Sequence, residues 1–175
     1  MILATVAVGL LNLGYLGTGQ ASDTSAGAAA LARLRGLAGE WQGSVEWSGA
    51  RKGTGSMNAI YSLTGNGSAV VESLVTGGES AMTSVYHLDG ADLRMTHFCG
   101  AQNQPRLKAR TIDLGRGVID FAFVDATNLR SPVAGHVHGV EMRLVDDDHI
   151  TLTFLFEAGG QKSRERIALK RLRRT

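Results

Sequence analysis

Residues 136–157, HVHGVEMRLVDDDHITLTFLFE, decide the fold. Val140, Met142 and Leu144 alternate with polar residues, three aspartates interrupt, and Ile150, Leu152, Phe154 and Phe156 resume the alternation. A period of two places one apolar face on each of two strands, and Asp146-Asp147-Asp148 is the turn between them. The pair reads as an antiparallel hairpin with one buried side.

The same pattern extends outward in both directions. Ten segments alternate in this way, near 41–48, 54–64, 68–76, 80–88, 92–99, 106–113, 117–124, 136–145, 149–157 and 161–171. Gly-, Asn- and Asp-rich clusters separate them, among them Gly65-Asn66-Gly67, Gly77-Gly78, Asp89-Gly90 and Gly159-Gly160. The 23 glycines are turn residues, because two prolines are too few for a linker or a low-complexity tract. Ten sequential strands with one apolar face close most simply into an up-and-down barrel, which removes the edge strands. The expected fold is therefore all-β: a ten-stranded antiparallel barrel, residues 39–172, wide enough for an internal cavity. Parity assigns Trp41, Val45, Trp47, Met57, Ala59, Tyr61, Leu63, Leu93, Met95, Ile119, Phe121 and Phe123 to its interior, together with the apolar residues of the 136–157 hairpin.

Before the barrel, Ala28, Leu31, Leu34, Leu37 and Ala38 recur at helical spacing, which predicts one short helix within 22–38 with Ser25 as its cap and Gly39 as its stop. Residues 1–21, MILATVAVGLLNLGYLGTGQA, read as a signal peptide or N-terminal anchor, with small residues Gly19 and Ala21 at the cleavage site. The expectation is an exported protein, periplasmic or secreted, without a stable membrane span once the signal is removed. Cys99 is the single cysteine, which excludes an intramolecular disulfide framework. Residues 162–175 carry seven basic residues and one acidic one. Without interleaved aromatics this reads as a solvated strand edge and tail, and no nucleic-acid partner is expected.

The sequence at Gly39-Glu40-Trp41-Gln42-Gly43, a GxWxG opening the first strand after a helix, resembles the calycin superfamily of lipocalins, fatty-acid-binding proteins and nitrobindin-like barrels. The stretch 85–109, VYHLDGADLRMTHFCGAQNQPRLKA, with ATNL at 126–129 and HVH at 136–138, is similar to a group of exported bacterial lipocalin-like proteins. The resemblance covers roughly 36–172 and implies a barrel that holds a ligand. The haem-binding nitrobindin-like members carry a proximal histidine near the C-terminus, whereas the last strand here, QKSRERIALKRL, has none.

One end of this barrel carries the chemistry. Continuing the inward parity of strand five past Leu93 and Met95 reaches His97 and Cys99, and reading strand eight backwards from Met142 and Val140 reaches His138 and His136. In a meander the end of strand five and the start of strand eight lie at the same mouth. Gln102, Asn103, Gln104 and Asn128 lie in the loops there, and Trp41 falls at the opposite end. The expected partner is a small apolar or amphipathic molecule, contacted by Met95 and Met142 inside and by His97, Cys99, Gln102, Asn103, Gln104, Asn128, His136 and His138 at the rim. Two alternatives use the same residues. His97, Cys99, His136 and His138 have the donor types for a transition metal, zinc, copper or iron, the last including haem. Cys99 with His136 or His138 as base is the enzymatic alternative, and no Asp or Glu is found at matching parity to orient that base.

Overall fold

The computed structural model describes residues 25–174. The helix α1 (Ala26–Arg35) precedes ten strands: β1 (Gly39–Gly49), β2 (Gly53–Thr64), β3 (Ala69–Thr76), β4 (Glu79–Asp89), β5 (Asp92–Phe98), β6 (Gln104–Asp113), β7 (Val118–Thr127), β8 (His136–Leu144), β9 (His149–Ala158) and β10 (Gln161–Arg174). Each strand pairs antiparallel with its sequence neighbours, and β1 pairs with β10 to close the barrel. The all-β expectation holds strand for strand. The expected signal or anchor segment, 1–21, lies outside the described residues. No described helix is long and apolar enough to cross a membrane.

Ser25 caps α1, its hydroxyl accepting from the Ala28 N–H at 3.2 Å. The helix ends earlier than the expected stop at Gly39: Gly36 is its C-cap, and Gly39 already opens β1. Ala30, Leu31 and Leu34 are buried, and α1 packs on β3 to β6, so the helix closes one barrel end. It lies tightly there, since a Cβ at Gly27 would stand 2.2 Å from the Ala91 carbonyl in the β4–β5 turn. A close approach also explains the second glycine of GxWxG, because a Cβ at Gly43 would sit 1.8 Å from the Ala168 carbonyl on β10.

Trp41 is buried at this closed end, where its indole N–H donates to the Leu37 carbonyl at 2.9 Å. Above it Tyr61, Tyr86, Met95, Phe121, Met142, Leu152 and Phe154 fill the barrel with almost no exposed surface. Leu63 departs from its inward assignment and is exposed, because β2 is running out into its turn with β3. β10 carries the basic C-terminal segment to Arg174, paired with β1 along its length and with β9 as far as Lys170, so only its last residues form an edge.

Candidate functional site

The mouth opposite α1 opens where β5 ends and β8 begins, as the alternation predicts. A cavity of about 240 Å³ occupies it. Its apolar lining is Trp47 on β1, Met82 on β4, Val137 on β8, and Phe154 and Phe156 on β9, with Cys99 just past β5. Arg51, Ser163 and Glu165 supply polar groups on one side. The Arg51 guanidinium lies 4.0 Å from the Trp47 ring centroid, and the Arg51 N–H donates to the Ser163 hydroxyl at 3.1 Å. Burial pushes the Glu165 carboxyl above its ordinary value, while Trp47 and Arg51 act the other way. The Trp47 indole N–H is buried and approaches Glu165 without reaching good hydrogen-bond geometry.

The structure separates the four residues expected to converge. His97 is fully buried and inward, as its parity requires. Cys99 lines the cavity, but burial pushes its thiol above the ordinary value, and the hydrogen bond it accepts, from Ala101 N–H, is a weak one at 3.5 Å. The protonated thiol is a poor nucleophile. His136 and His138 are not on the inner face. Phe156 pairs with Val137 and Leu155 with Gly139, which leaves His138 as an extra residue in a β-bulge. A one-residue slip exchanges the two faces. Val137 therefore turns into the cavity, His136 lies beside Glu157 in the ladder, and His138 is exposed. The β7–β8 ladder stops at Ala122 and Gly139, and in the gap beyond it both imidazoles pack against Phe123, His136 tilted at 4.8 Å and His138 stacked at 5.0 Å between ring centroids. Among the described residues, no three His, Cys, Asp or Glu side chains converge to hold a metal.

The loop amides are also placed differently from the expectation. They knit the two loops of the mouth together and do not line the cavity. Asn103 is buried and donates to the Gly135 carbonyl at 2.8 Å, Gln104 accepts from the Thr127 hydroxyl at 2.9 Å, and Asn128 donates to the Gln102 carbonyl. Gln102 is exposed and accepts from Arg130 at 2.7 Å. Met95 and Met142 belong to the packed core below, and Met82 is the methionine that lines the cavity.

Beneath the cavity lies a feature that the parity argument overlooked. Tyr61, Glu72, Ser84 and His97 stand side by side in register across β2, β3, β4 and β5, all inward and all buried. Glu72 Oε2 accepts from the Tyr61 hydroxyl at 2.6 Å and the Tyr86 hydroxyl at 2.9 Å, and Oε1 accepts from the Ser84 hydroxyl at 3.2 Å. Ser84 Oγ stands 3.0 Å from His97 Nδ1. Burial pushes the Glu72 carboxyl up, and the three hydroxyls oppose that shift. Burial pushes His97 down to about 4, so the imidazole is neutral. Glu72 is thus the acid at matching parity whose absence the sequence suggested. β3 hid it, because Val70, Glu72 and Leu74 alternate with the equally apolar Val71 and Val75, and neither face is marked. The order of groups is not that of a catalytic triad, since the carboxylate holds the serine and not the histidine, and Ser84 is fully buried.

The sequence matches no family model and no curated protein. Among solved structures the chain is similar to a protein of unknown function from the DUF3598 family of Nostoc punctiforme, with a TM-score of 0.54 and 15% identity over 79% of this chain. It spans 49% of that protein, about half its length. It is also similar to Rv2717c from Mycobacterium tuberculosis, with a TM-score of 0.53 and 17% identity over 82% of this chain and 98% of that one. At these identities the likeness concerns the fold alone, a closed antiparallel barrel.

Proposed function

We propose that this barrel is an exported lipocalin-like protein that binds a small, largely apolar molecule in its mouth cavity. The observation that carries the reading is the contrast between a barrel packed solid from Trp41 to Phe154 and an apolar space of about 240 Å³ above it. A dry apolar cavity of about 150 Å³ is enough to hold benzene, so this one suits a bicyclic aromatic or a molecule of similar bulk. Few convergent polar groups beside an apolar lining are the usual composition of a small-molecule site.

Titration calorimetry with naphthalene and indole tests the reading. For ligands of this size the expected dissociation constants are on the order of 10–100 μM. Val137→Trp, which pushes bulk into the cavity, is expected to abolish the heat while leaving the thermal transition in place. Wild-type protein that binds neither compound contradicts the proposal.

A further inference from the structure

His97 has one ring nitrogen with no protein partner. Nε2 is fully buried and makes no hydrogen bond, whereas Nδ1 is engaged by Ser84. A buried polar atom without a hydrogen bond destabilises a fold, so its retention at this place calls for a partner. Its place is the layer directly below the cavity. Cys99, two residues further along the chain, lines the cavity, and so does Met82, two residues before Ser84. His97 does not itself line the cavity, but its ring centroid lies 5.1 Å from that of Phe154, which does, and with Nδ1 engaged by Ser84 the Nε2 edge is on the side of the ring away from that bond.

The hydrogen-bond chain fixes what kind of partner fits. With Glu72 as the carboxylate, Ser84 gives its one hydroxyl proton to Oε1, while Oε2 accepts both tyrosine protons. Ser84 Oγ can then only accept from His97, which places the imidazole proton on Nδ1. A neutral ring with Nδ1–H leaves a lone pair on Nε2. Trp47 Nε1, a buried polar atom of the lining itself, is directed toward Glu165.

We infer that His97 Nε2 is the polar recognition atom of the cavity, and that the Tyr61/Tyr86–Glu72–Ser84 chain sets it as an acceptor, so the ligand is an apolar molecule carrying an N–H or O–H donor. This rests on the cavity-binding reading above and adds a chemical class to it. One variant should invert the preference. In Glu72→Gln the amide oxygen accepts from both tyrosines and the amide N–H₂ donates to Ser84 Oγ. The Ser84 proton is then free for His97 Nδ1, and the imidazole proton moves to Nε2.

The experiment compares indole, which only donates, with quinoline, which only accepts, two bicyclic compounds of similar bulk, by calorimetry at pH 7.5. Wild-type protein is expected to bind indole about tenfold more tightly than quinoline, the scale of one well-placed buried hydrogen bond. Glu72→Gln is expected to reverse that order, and His97→Phe to erase it. Equal affinities in the wild type, or a preference for quinoline, overturn the inference while the cavity-binding reading stands. Absence of binding by indole, quinoline and naphthalene alike overturns both. Should either variant fail to fold, the two-bond ¹H–¹⁵N correlation of the wild-type His97 ring decides. The expected pattern is an Nδ1–H tautomer whose Nε2 resonance moves on adding indole. An Nε2–H tautomer, or an unmoved Nε2, contradicts the inference.

Discussion

The guanidinium of Arg171 lies 4.1 Å from the centroid of the Trp41 indole and donates to the carbonyls of Gly36, Leu37 and Ala38 at 3.0 to 3.4 Å. One side chain from the last strand thus stacks on the first and caps the carbonyls that α1 leaves open at its C-terminal end. Asp148 in the β8–β9 turn pairs with the same guanidinium at 3.2 Å and holds its orientation. This end of the barrel is a plug, and the opposite end is left to hold a ligand.

Arg171→Ala is therefore expected to destabilise the fold by about 2–3 kcal/mol, since the stacked, nearly buried cation and several hydrogen bonds are lost together. Arg173→Ala, whose side chain is mostly exposed and paired with Glu40 on the surface, is expected to change stability by less than about 1 kcal/mol. Urea denaturation of both variants makes the comparison, and equal effects would remove Arg171 from its role.

Truncating Glu72 strands three buried hydroxyls at once. Glu72→Ala is expected to cost about 3–5 kcal/mol, from unsatisfied Tyr61, Tyr86 and Ser84 and from the cavity left behind. Glu72→Gln, which keeps the volume and offers partners to all three, is expected to cost less than half of that. Denaturation midpoints for the pair report the difference, and a harmless Glu72→Ala would refute the network.

The buried imidazole also sets a pH dependence. His97 is pushed down to about 4 by burial, while an unfolded histidine titrates near 6.5. Between these values the unfolded chain binds a proton that the folded protein refuses, so stability falls as pH drops from about 6.5 to about 4, by about 3 kcal/mol in all. Glu72 acts in the opposite sense: its carboxyl is raised by burial, so its contribution to stability declines as pH rises from the ordinary carboxyl range. Surface carboxylates such as Asp92, held low by its hydrogen bond to Lys108, weaken the fold in acid as well. Unfolding of wild type and His97→Phe at pH 7.5, 6 and 5 cancels that shared background. The wild type is expected to lose more stability over this range, and parallel curves would contradict a buried neutral His97.

Cys99 offers a chemical readout of the cavity. Because burial raises its thiol, reaction with a disulfide reagent at pH 8 is expected to be slower than for free cysteine and to keep accelerating above the usual thiol range. Saturating indole is expected to slow it further, since Cys99 lines the occupied space. A rate indifferent to indole would argue against occupancy of this cavity.

The barrel was legible because most strands carry a face marked by alternation, β3 being the exception, and glycine or aspartate turns mark where strands stop. The site was legible only where that alternation continues unbroken. It held along β5, which is why His97 was placed inside. It failed along β8, because the bulge at His138 reverses parity for the residues before it, and the one local sign is Gly139, a glycine within a strand. Glu72 was hidden for a different reason. The residues it stands in row with, Tyr61, Ser84 and His97, lie on three other strands, and only the register between strands brings them together. The loop amides had the right chemistry for a rim, but Asn103 and Asn128 donate to backbone carbonyls of the neighbouring loop instead.

Occupancy of the mouth cavity can be read by diffraction from a crystal soaked in 4-iodophenol, because the iodine reports its own position by anomalous scattering. One strong peak is expected inside the mouth, between Met82, Val137, Phe154 and Phe156, with the phenol oxygen toward His97 Nε2. Iodine found only on the outer surface, with the mouth cavity empty at saturating compound, would contradict it.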